Sequence, residues 1–349
     1  MIETSYSKTR QPDNPALRTP RPAPEVVTFG ETMVLFQALP EGPLRYAPLF
    51  TRAVAGAESN LAIALARLGV RARWIGRLGA DPFGDLVAGT LAGEGVDVSL
   101  VIRDPDAPTG LFFREFRGAG DPSAYYYRRG SAASRLSPED VRPEWIDGAA
   151  ILHVTGITPA LGPATGAAVE KAMRLAQERG IAVSFDPNLR RKLWPEEEAR
   201  ETLLSLIPLC DLFLPGIEEA SFLIGKKEPE EYGPAFLSMG PQIVALKLGG
   251  EGSLGYAGDR VVRAKPYTVA SVVDPIGAGD AYAAGFLSAL LDGPLSARTS
   301  EIDEERLRAA LARANVMGAL ATQFKGDWEG LPTLAEMERI LADIHDIRR

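Results

Sequence analysis

Two periods of apolar and polar positions run along this chain, and their order predicts an architecture. Glu25-Val26-Val27-Thr28-Phe29-Gly30-Glu31 is an almost unbroken apolar run ending in glycine, the pattern of a strand buried on both faces. Ser59 to Leu68 then has apolar or alanine positions on every side of a helix and stops at Gly69. Ala72-Arg73-Trp74-Ile75-Gly76 returns as a strand, and Phe83 to Glu94 as a helix closed by Gly95. Further strands are predicted near 150–154, 181–185, 211–214 and 243–247. Helices are predicted near 163–179, 196–206, 217–224, 233–239, 303–322 and 333–346. This alternation implies an α/β fold: a doubly wound, mostly parallel sheet with helices on both faces.

Two stretches break the alternation. The region from Met33 to Val54 carries Pro40, Gly42, Pro43 and Pro48 and reads as short strands leaving the main sheet. From Thr109 to Tyr127, two aromatic runs flank Gly118-Ala119-Gly120-Asp121-Pro122, a hairpin signature with a long turn. Residues 38–55 and 109–128 are therefore expected to form an inserted β-rich lid. Strand alternation puts Tyr126 and Arg128 on one face and Tyr125 and Tyr127 on the other. The aromatics suit either packing against a partner sheet or facing a polar ligand. Residues 1–24 are polar and proline-rich and read as a disordered tail. No internal repeat divides the rest, so 25–346 is expected to be one α/β domain.

Composition narrows the chemistry. The 349 residues are 46% apolar, enough for a sizeable core. Acidic residues outnumber basic ones, 46 to 38, giving a net charge of -8 and arguing against a nucleic-acid partner. No apolar run is long enough to cross a membrane. Cys210 is the only cysteine, which excludes an intrachain disulfide or a cysteine metal cluster and fits a cytoplasmic location. The two histidines, His153 and His345, exclude a His-rich metal site. His153, inside an apolar run, reads as a satisfied strand histidine.

The most informative segment is Asp274-Pro275-Ile276-Gly277-Ala278-Gly279-Asp280, which feeds the all-apolar helix through Leu291. A helix start offers free N–H groups and partial positive charge, so it binds anions. Glycines let a bulky oxyanion approach the backbone. Asp280 then sets a proton acceptor beside an anion cradle, as phosphoryl transfer to a hydroxyl requires. A capped turn is the plainer reading, but a buried helix with an acid at its mouth favours chemistry. Three other segments are candidates. Gly56-Ala57-Glu58-Ser59-Asn60 caps a helix or binds sugar hydroxyls. Asp186-Pro187-Asn188-Leu189-Arg190 follows a strand, where sheets of this class bind ligands, and Arg190 suits either a carboxylate or phosphate ligand or a surface pairing with a nearby acid. Lys247-Leu248-Gly249-Gly250-Glu251-Gly252-Ser253 is a nucleotide-hugging turn or a plain hairpin. No G-x-x-x-x-G-K-[ST] and no G-x-G-x-x-G after the first strand occur, which argues against a P-loop kinase and a dinucleotide-dependent dehydrogenase.

On these residues the chain resembles the ribokinase-like, or PfkB, family of carbohydrate kinases from about residue 25 to 346. Asp274 to Leu287 matches the family's C-terminal signature throughout. Ala55-Gly56, Asn60, Ala62, Gly69 and Gly79 match the N-terminal one, which departs at Glu58. Within the family, Gly56 to Asn60, Tyr126 to Ser134, Gly156-Ile157-Thr158, Asp186 to Arg190 and Gly326-Asp327-Trp328-Glu329-Gly330 together look like 2-keto-3-deoxygluconate kinases. Those enzymes phosphorylate the 6-hydroxyl of a sugar acid with ATP and Mg²⁺.

The resemblance implies a role for each position. Asp280 would be the general base, and Gly277, Ala278 and Gly279 the anion hole. Gly56, Ala57, Glu58, Ser59, Asn60, Phe112, Tyr126, Tyr127, Arg128, Arg190 and Asp327 would contact the sugar acid. Phe112 stands where some relatives have tyrosine. Asn188, Gly216, Lys247, Gly249, Gly250, Gly252 and Asn315 would line the nucleotide. Gly216 replaces the Asn of an Asn-x-x-Glu pair whose Glu219 would organise Mg²⁺ through water. The lid would join two copies into a homo-oligomer. A neutral-sugar kinase such as a fructokinase, and a sugar-binding regulatory protein without catalysis, are the alternatives.

Overall fold

The structure, a computed structural model, describes residues 23–116, 123–292 and 302–346. Most of the expected tail (1–22) and the tip of the lid hairpin (117–122) lie outside the described residues. In chain order the first half comprises β1 Val26–Phe29, β2 Met33–Leu39, β3 Leu49–Ala55, α1 Ala57–Arg67, β4 Ala72–Ile75, β5 Arg77–Gly79, α2 Pro82–Gly93, β6 Ile102–Asp104, β7 Leu111–Glu115 and β8 Ser123–Tyr127. The second half comprises β9 Ile151–Thr155, α3 Pro163–Glu178, β10 Ala182–Asp186, α4 Glu196–Leu206, β11 Leu212–Phe213, α5 Ile217–Ile224 and α6 Pro229–Leu237. It closes with β12 Ile243–Lys247, β13 Ser253–Ala257, β14 Arg260–Ala264, α7 Ala278–Leu291, α8 Glu304–Ala321 and α9 Leu334–Asp346.

Eight strands form the main sheet in the order β14-β13-β12-β11-β10-β9-β1-β4. The pairs from β12 to β4 are parallel, and β13 and β14 add an antiparallel edge. Both faces are covered, which explains the nearly continuous apolar strand sequences. Val26, Ile151, Ala182 and Ile243 pack on one face with α1, α7 and α8, while Val27, Leu152, Val183 and Val244 pack on the other with α3, α4 and α6. On the α1 and α7 face the strands change character toward their carboxyl ends. Apolar Val26, Ile151, Ala182 and Ile243 give way to Thr28, His153, Ser184, Asp186 and Lys247. Polar side chains are thus gathered under the N-termini of two helices.

His153 meets the expectation of a satisfied strand histidine. Its Nδ1 lies 3.0 Å from Ser184 Oγ, and burial, with Lys247 nearby, depresses its pKa to about 3.

The second sheet has the order β3-β2-β7-β8 and matches the expected lid, with one correction. It begins at Met33 rather than 38, because β2 pairs with β3 along its whole length, from Met33 opposite Ala55 to Leu39 opposite Leu49. The prolines occupy the connection, not the strand. Pairing of β2 with β7 is parallel, so this sheet is mixed. Two helices also start earlier than their periodicity indicated. α1 begins at Ala57, and α6 at Pro229, where Glu231 reaches back to the Glu228 N–H at 2.9 Å. The β5–β6 pair escaped notice because its strands are three residues each. No described helix is long and apolar enough to cross a membrane.

Candidate active site

The site forms where the carboxyl ends of the parallel strands meet the N-termini of α1 and α7. Gly277 caps α7 with φ 80°, and a Cβ there would come within 2.1 Å of the Asp327 carbonyl oxygen. Only glycine supplies both that conformation and that clearance. Asp274 shapes the turn by accepting the Ile276 N–H at 3.1 Å. Among the described residues the N–H groups of Gly277 and Gly279 have no hydrogen-bond acceptor, and that of Ala278 makes one long contact, 3.4 Å, to Pro275. The turn therefore keeps backbone donors unpaired among the described residues at a helix start, where an anion would be stabilised.

Asp280, in the first turn of α7, is buried and held from two sides. Asn60 of α1 donates from Nδ2 to one carboxylate oxygen at 2.8 Å, and Asn188 donates to the other at 3.1 Å. Burial is the largest influence on its pKa. The Asn60 hydrogen bond and the Arg190 charge oppose it, Asp186 and Asp327 reinforce it, and the result lies near 7. A carboxylate poised there is suited to taking a proton near neutral pH. Asn60 and Asn188, expected at the sugar and the nucleotide, thus both hydrogen-bond Asp280. Asn188 adopts φ 37°, tolerated by asparagine, with its N–H on Asp186 Oδ1 at 3.0 Å.

Lys247 is also relocated. Its ammonium pairs with Asp186 at 2.7 Å and lies 3.8 Å from the position of a Cβ on Gly279. That puts it at the anion turn, with Gly249 and Gly250 exposed beyond and Gly252 at φ 91°. Burial works against its charge, but Asp186, Glu219 and Asp280 outweigh it and hold its pKa above the usual lysine value. Arg190 is exposed, acts on Asp280 through its charge, and forms no ion pair with a described residue.

Several sequence candidates are occupied elsewhere. Glu58, expected at the sugar acid, is completely buried beneath Gly30, where it accepts from Thr155 Oγ1 at 2.7 Å and Thr158 Oγ1 at 2.9 Å. Burial raises its pKa. Ser59 is buried and donates to the Gly56 carbonyl at 3.0 Å; Ala57 is buried beside it, and Gly56 packs against the Glu31 carbonyl. Phe112, Tyr126 and Arg128 share one lid face, with the two rings stacked at 5.3 Å and the guanidinium 5.6 Å from the Tyr126 centroid. Arg128 is neutralised by buried Glu31, which also accepts from Ser131 Oγ at 2.9 Å. Tyr127 lies on the opposite lid face, edge-on to Phe113 and exposed, because strand alternation separates it from Tyr126. Asn315 is tied to Ser253 at 3.1 Å and to the Lys265 carbonyl at 2.9 Å, bracing β13 and the chain beyond β14.

Glu219 spends both oxygens on backbone amides, Gly216 N–H at 2.7 Å and Leu189 N–H at 2.8 Å. Its observed work is to cap α5 and pin the turn after β10. Among the described residues no group of three potential ligands could enclose a metal ion. This donor set does not form a protein cage for Mg²⁺, which suits an ion that arrives on nucleotide phosphates. Sequence reasoning missed Glu31 and Arg114. Arg114 is buried and bridges Asp327 at 2.7 Å and Asp274 at 3.3 Å, and the only signal was its place two residues after Phe112 on one strand face.

Comparison with known proteins agrees with this geometry. The profile of the family described as pfkB family carbohydrate kinase matches residues 23–334. The chain is 40% identical to the 2-dehydro-3-deoxygluconokinase of Bacillus subtilis (strain 168) over 320 residues, 91% of this chain and 95% of that one. It is 35% identical to a probable fructokinase of Arabidopsis thaliana over 319 residues, covering 90% and 96% of the two chains. Among solved structures it resembles a putative ribokinase II from E. coli in complex with ATP and Mg²⁺, with a TM-score of 0.82 at 28% identity, covering 92% of this chain and 99% of that one.

Proposed function

The chain belongs to the pfkB family of carbohydrate kinases, and we propose that it transfers the γ-phosphoryl group of ATP to the 6-hydroxyl of 2-keto-3-deoxygluconate. Asp280 accepts the hydroxyl proton as the sugar oxygen forms its bond to the γ-phosphorus. The bond from that phosphorus to the bridging oxygen breaks, and ADP leaves with the electron pair. The turn amides of Gly277 to Gly279, with Lys247 beside them, face the charge of the moving group. Further charge neutralisation would come from Mg²⁺ bound with the nucleotide. The observation that carries this reading is the pairing of one buried, doubly hydrogen-bonded carboxylate with unengaged amides one helical turn away.

A sugar acid is favoured because Arg190, a cation without an ion-pair partner among the described residues, lies near the base in a protein of net charge -8. Identity to a 2-dehydro-3-deoxygluconokinase exceeds that to a plant fructokinase, 40% against 35%. ADP release measured with the sugar acid and with fructose decides the matter. Faster turnover of the sugar acid is expected, and faster turnover of fructose would replace this reading with a fructokinase. Binding of both ligands without ADP release would identify a regulatory sugar-binding protein. Arg190→Ala is expected to raise KM for the sugar acid about tenfold or more, the scale of a lost charged hydrogen bond, with little change in KM for ATP. The exposed Tyr46, Leu49, Phe50, Tyr125 and Tyr127 on the lid suit a homo-oligomer joined through that sheet, and the substrates suit the cytoplasm.

A further inference from the structure

Arg114 has no part in the reaction as proposed above, yet it is among the largest fully buried side chains. It extends from β7 of the lid sheet, and its two terminal nitrogens part company. One reaches Asp327 Oδ1 at 2.7 Å and the other Asp274 Oδ2 at 3.3 Å. Both carboxylates belong to the anion turn or its support. Asp274 opens the turn and orders the Ile276 amide, while the backbone oxygen of Asp327 packs against Gly277. The loop that bears Asp327 is tied to its surroundings at other points. Trp328 Nε1 donates to the Val54 carbonyl of the lid at 2.7 Å, and Arg67 of α1 donates to the Trp328 and Leu331 carbonyls at 3.1 and 2.9 Å. One guanidinium therefore joins the lid, the glycine turn and the 326–330 loop at a single buried point.

We propose that Arg114 is a positioning residue for phosphoryl transfer: it clasps the lid to the glycine turn and supplies the positive charge that the two buried carboxylates Asp274 and Asp327 require. The inference rests on the reaction proposed above, with Asp280 as base. Two buried carboxylates without a counter-charge would be costly, and removing one partner of such a cluster is far worse than replacing the whole cluster. The charged groups that act on Asp280 are Arg190 and Asp186 at the end of β10, Lys247 at the end of β12, and Asp327 in the loop. Arg114 acts on the last of these. Its removal leaves Asp327 unneutralised, which disfavours a third negative charge at Asp280.

The test uses the full chain with Mg-ATP and the sugar giving fastest turnover. Arg114→Met is expected to lower kcat about tenfold or more through a misplaced turn. It should also move the acid limb of the kcat/KM profile upward by about half a pH unit or more. Arg114→Met combined with Asp327→Asn removes the guanidinium together with the carboxylate through which it acts on Asp280, and so restores the net buried charge. It should return the acid limb to its original place while kcat stays low, because the clasp is still missing. Arg114→Lys should recover part of both. If Arg114→Met does not fold, the double variant and Arg114→Lys still test the clasp, and normal kcat in the double variant overturns it. A folded Arg114→Met with the parent kcat and acid limb also overturns it. Absence of ADP release by the parent with every sugar would instead defeat the kinase reading, so the two failures are told apart.

Discussion

At the residue scale, the proposed proton transfer rests on Asp280. Burial pushes its carboxyl up to about 7, and Asn60 holds it from rising further by hydrogen-bonding the charged form. For a general base, activity belongs to the deprotonated form, so kcat/KM should climb as pH rises through about 7 and flatten above it. A profile flat from pH 5 to 9 would contradict this role. Asp280→Asn keeps the shape and the partner geometry but removes the proton acceptor, and turnover should fall by about 10²-fold or more with KM for ATP little changed. The position of Asp280 at the mouth of a buried helix was legible in sequence because it follows a glycine turn and opens an apolar helix. Its two asparagine partners were present among the candidates but assigned to ligands. Asn60 and Asp280 are 220 positions apart, and nothing in their local patterns says that they meet.

At the element scale, the start of α7 must stay open to an anion. Gly277 sits at φ 80° with the Asp327 carbonyl where a side chain would be. Gly277→Val has to displace the 326–330 loop and the turn together. A loss of nucleotide affinity with reduced kcat is expected, read by titration calorimetry and ADP release; unchanged binding of Mg-ATP would remove the turn from the anion site. The elements themselves were readable. The helix periods and glycine stops located α1, α2, α3 and α7 to within a few residues. The lid was readable as a departure from strand-helix alternation, although not its start at Met33. That boundary depends on pairing between β2 and β3, which a single strand's pattern does not contain. Tyr127 illustrates the same limit in reverse: alternation already put it opposite Tyr126, and the lid's orientation then left it away from the site.

At the scale of the whole molecule, polar groups buried at the strand ends tie stability to pH. His153 has a pKa of about 3 when folded against an ordinary value of 6.5, so the unfolded chain takes up the proton first. Its contribution is fully present above pH 6.5 and is lost progressively as pH falls toward 3, by about 1.4 kcal/mol per unit over that span. His153→Gln should therefore lower Tm at pH 7 yet reduce the further fall in Tm between pH 6.5 and 5; parallel Tm profiles would disprove the linkage. Glu31 and Glu58, raised by burial, work in the opposite sense, and comparison with the parent isolates the imidazole. By itself the sequence determined the order of the main-sheet strands and the helices between them, the doubly wound sheet, the glycine turn and the acid at its mouth, because each follows from periodicity or from backbone demands within a few adjacent residues. Tertiary structure alone decided that Asn60 and Asn188 grip Asp280, that Lys247 answers to Asp186 beside the turn, that Glu58 lies buried beneath Gly30, and that Arg114 spans from lid to loop. These are encounters between charged or amide groups distant along the chain. Their partners are chosen by which strand ends and helix starts the fold brings to one place, and by the cost of leaving a buried charge alone.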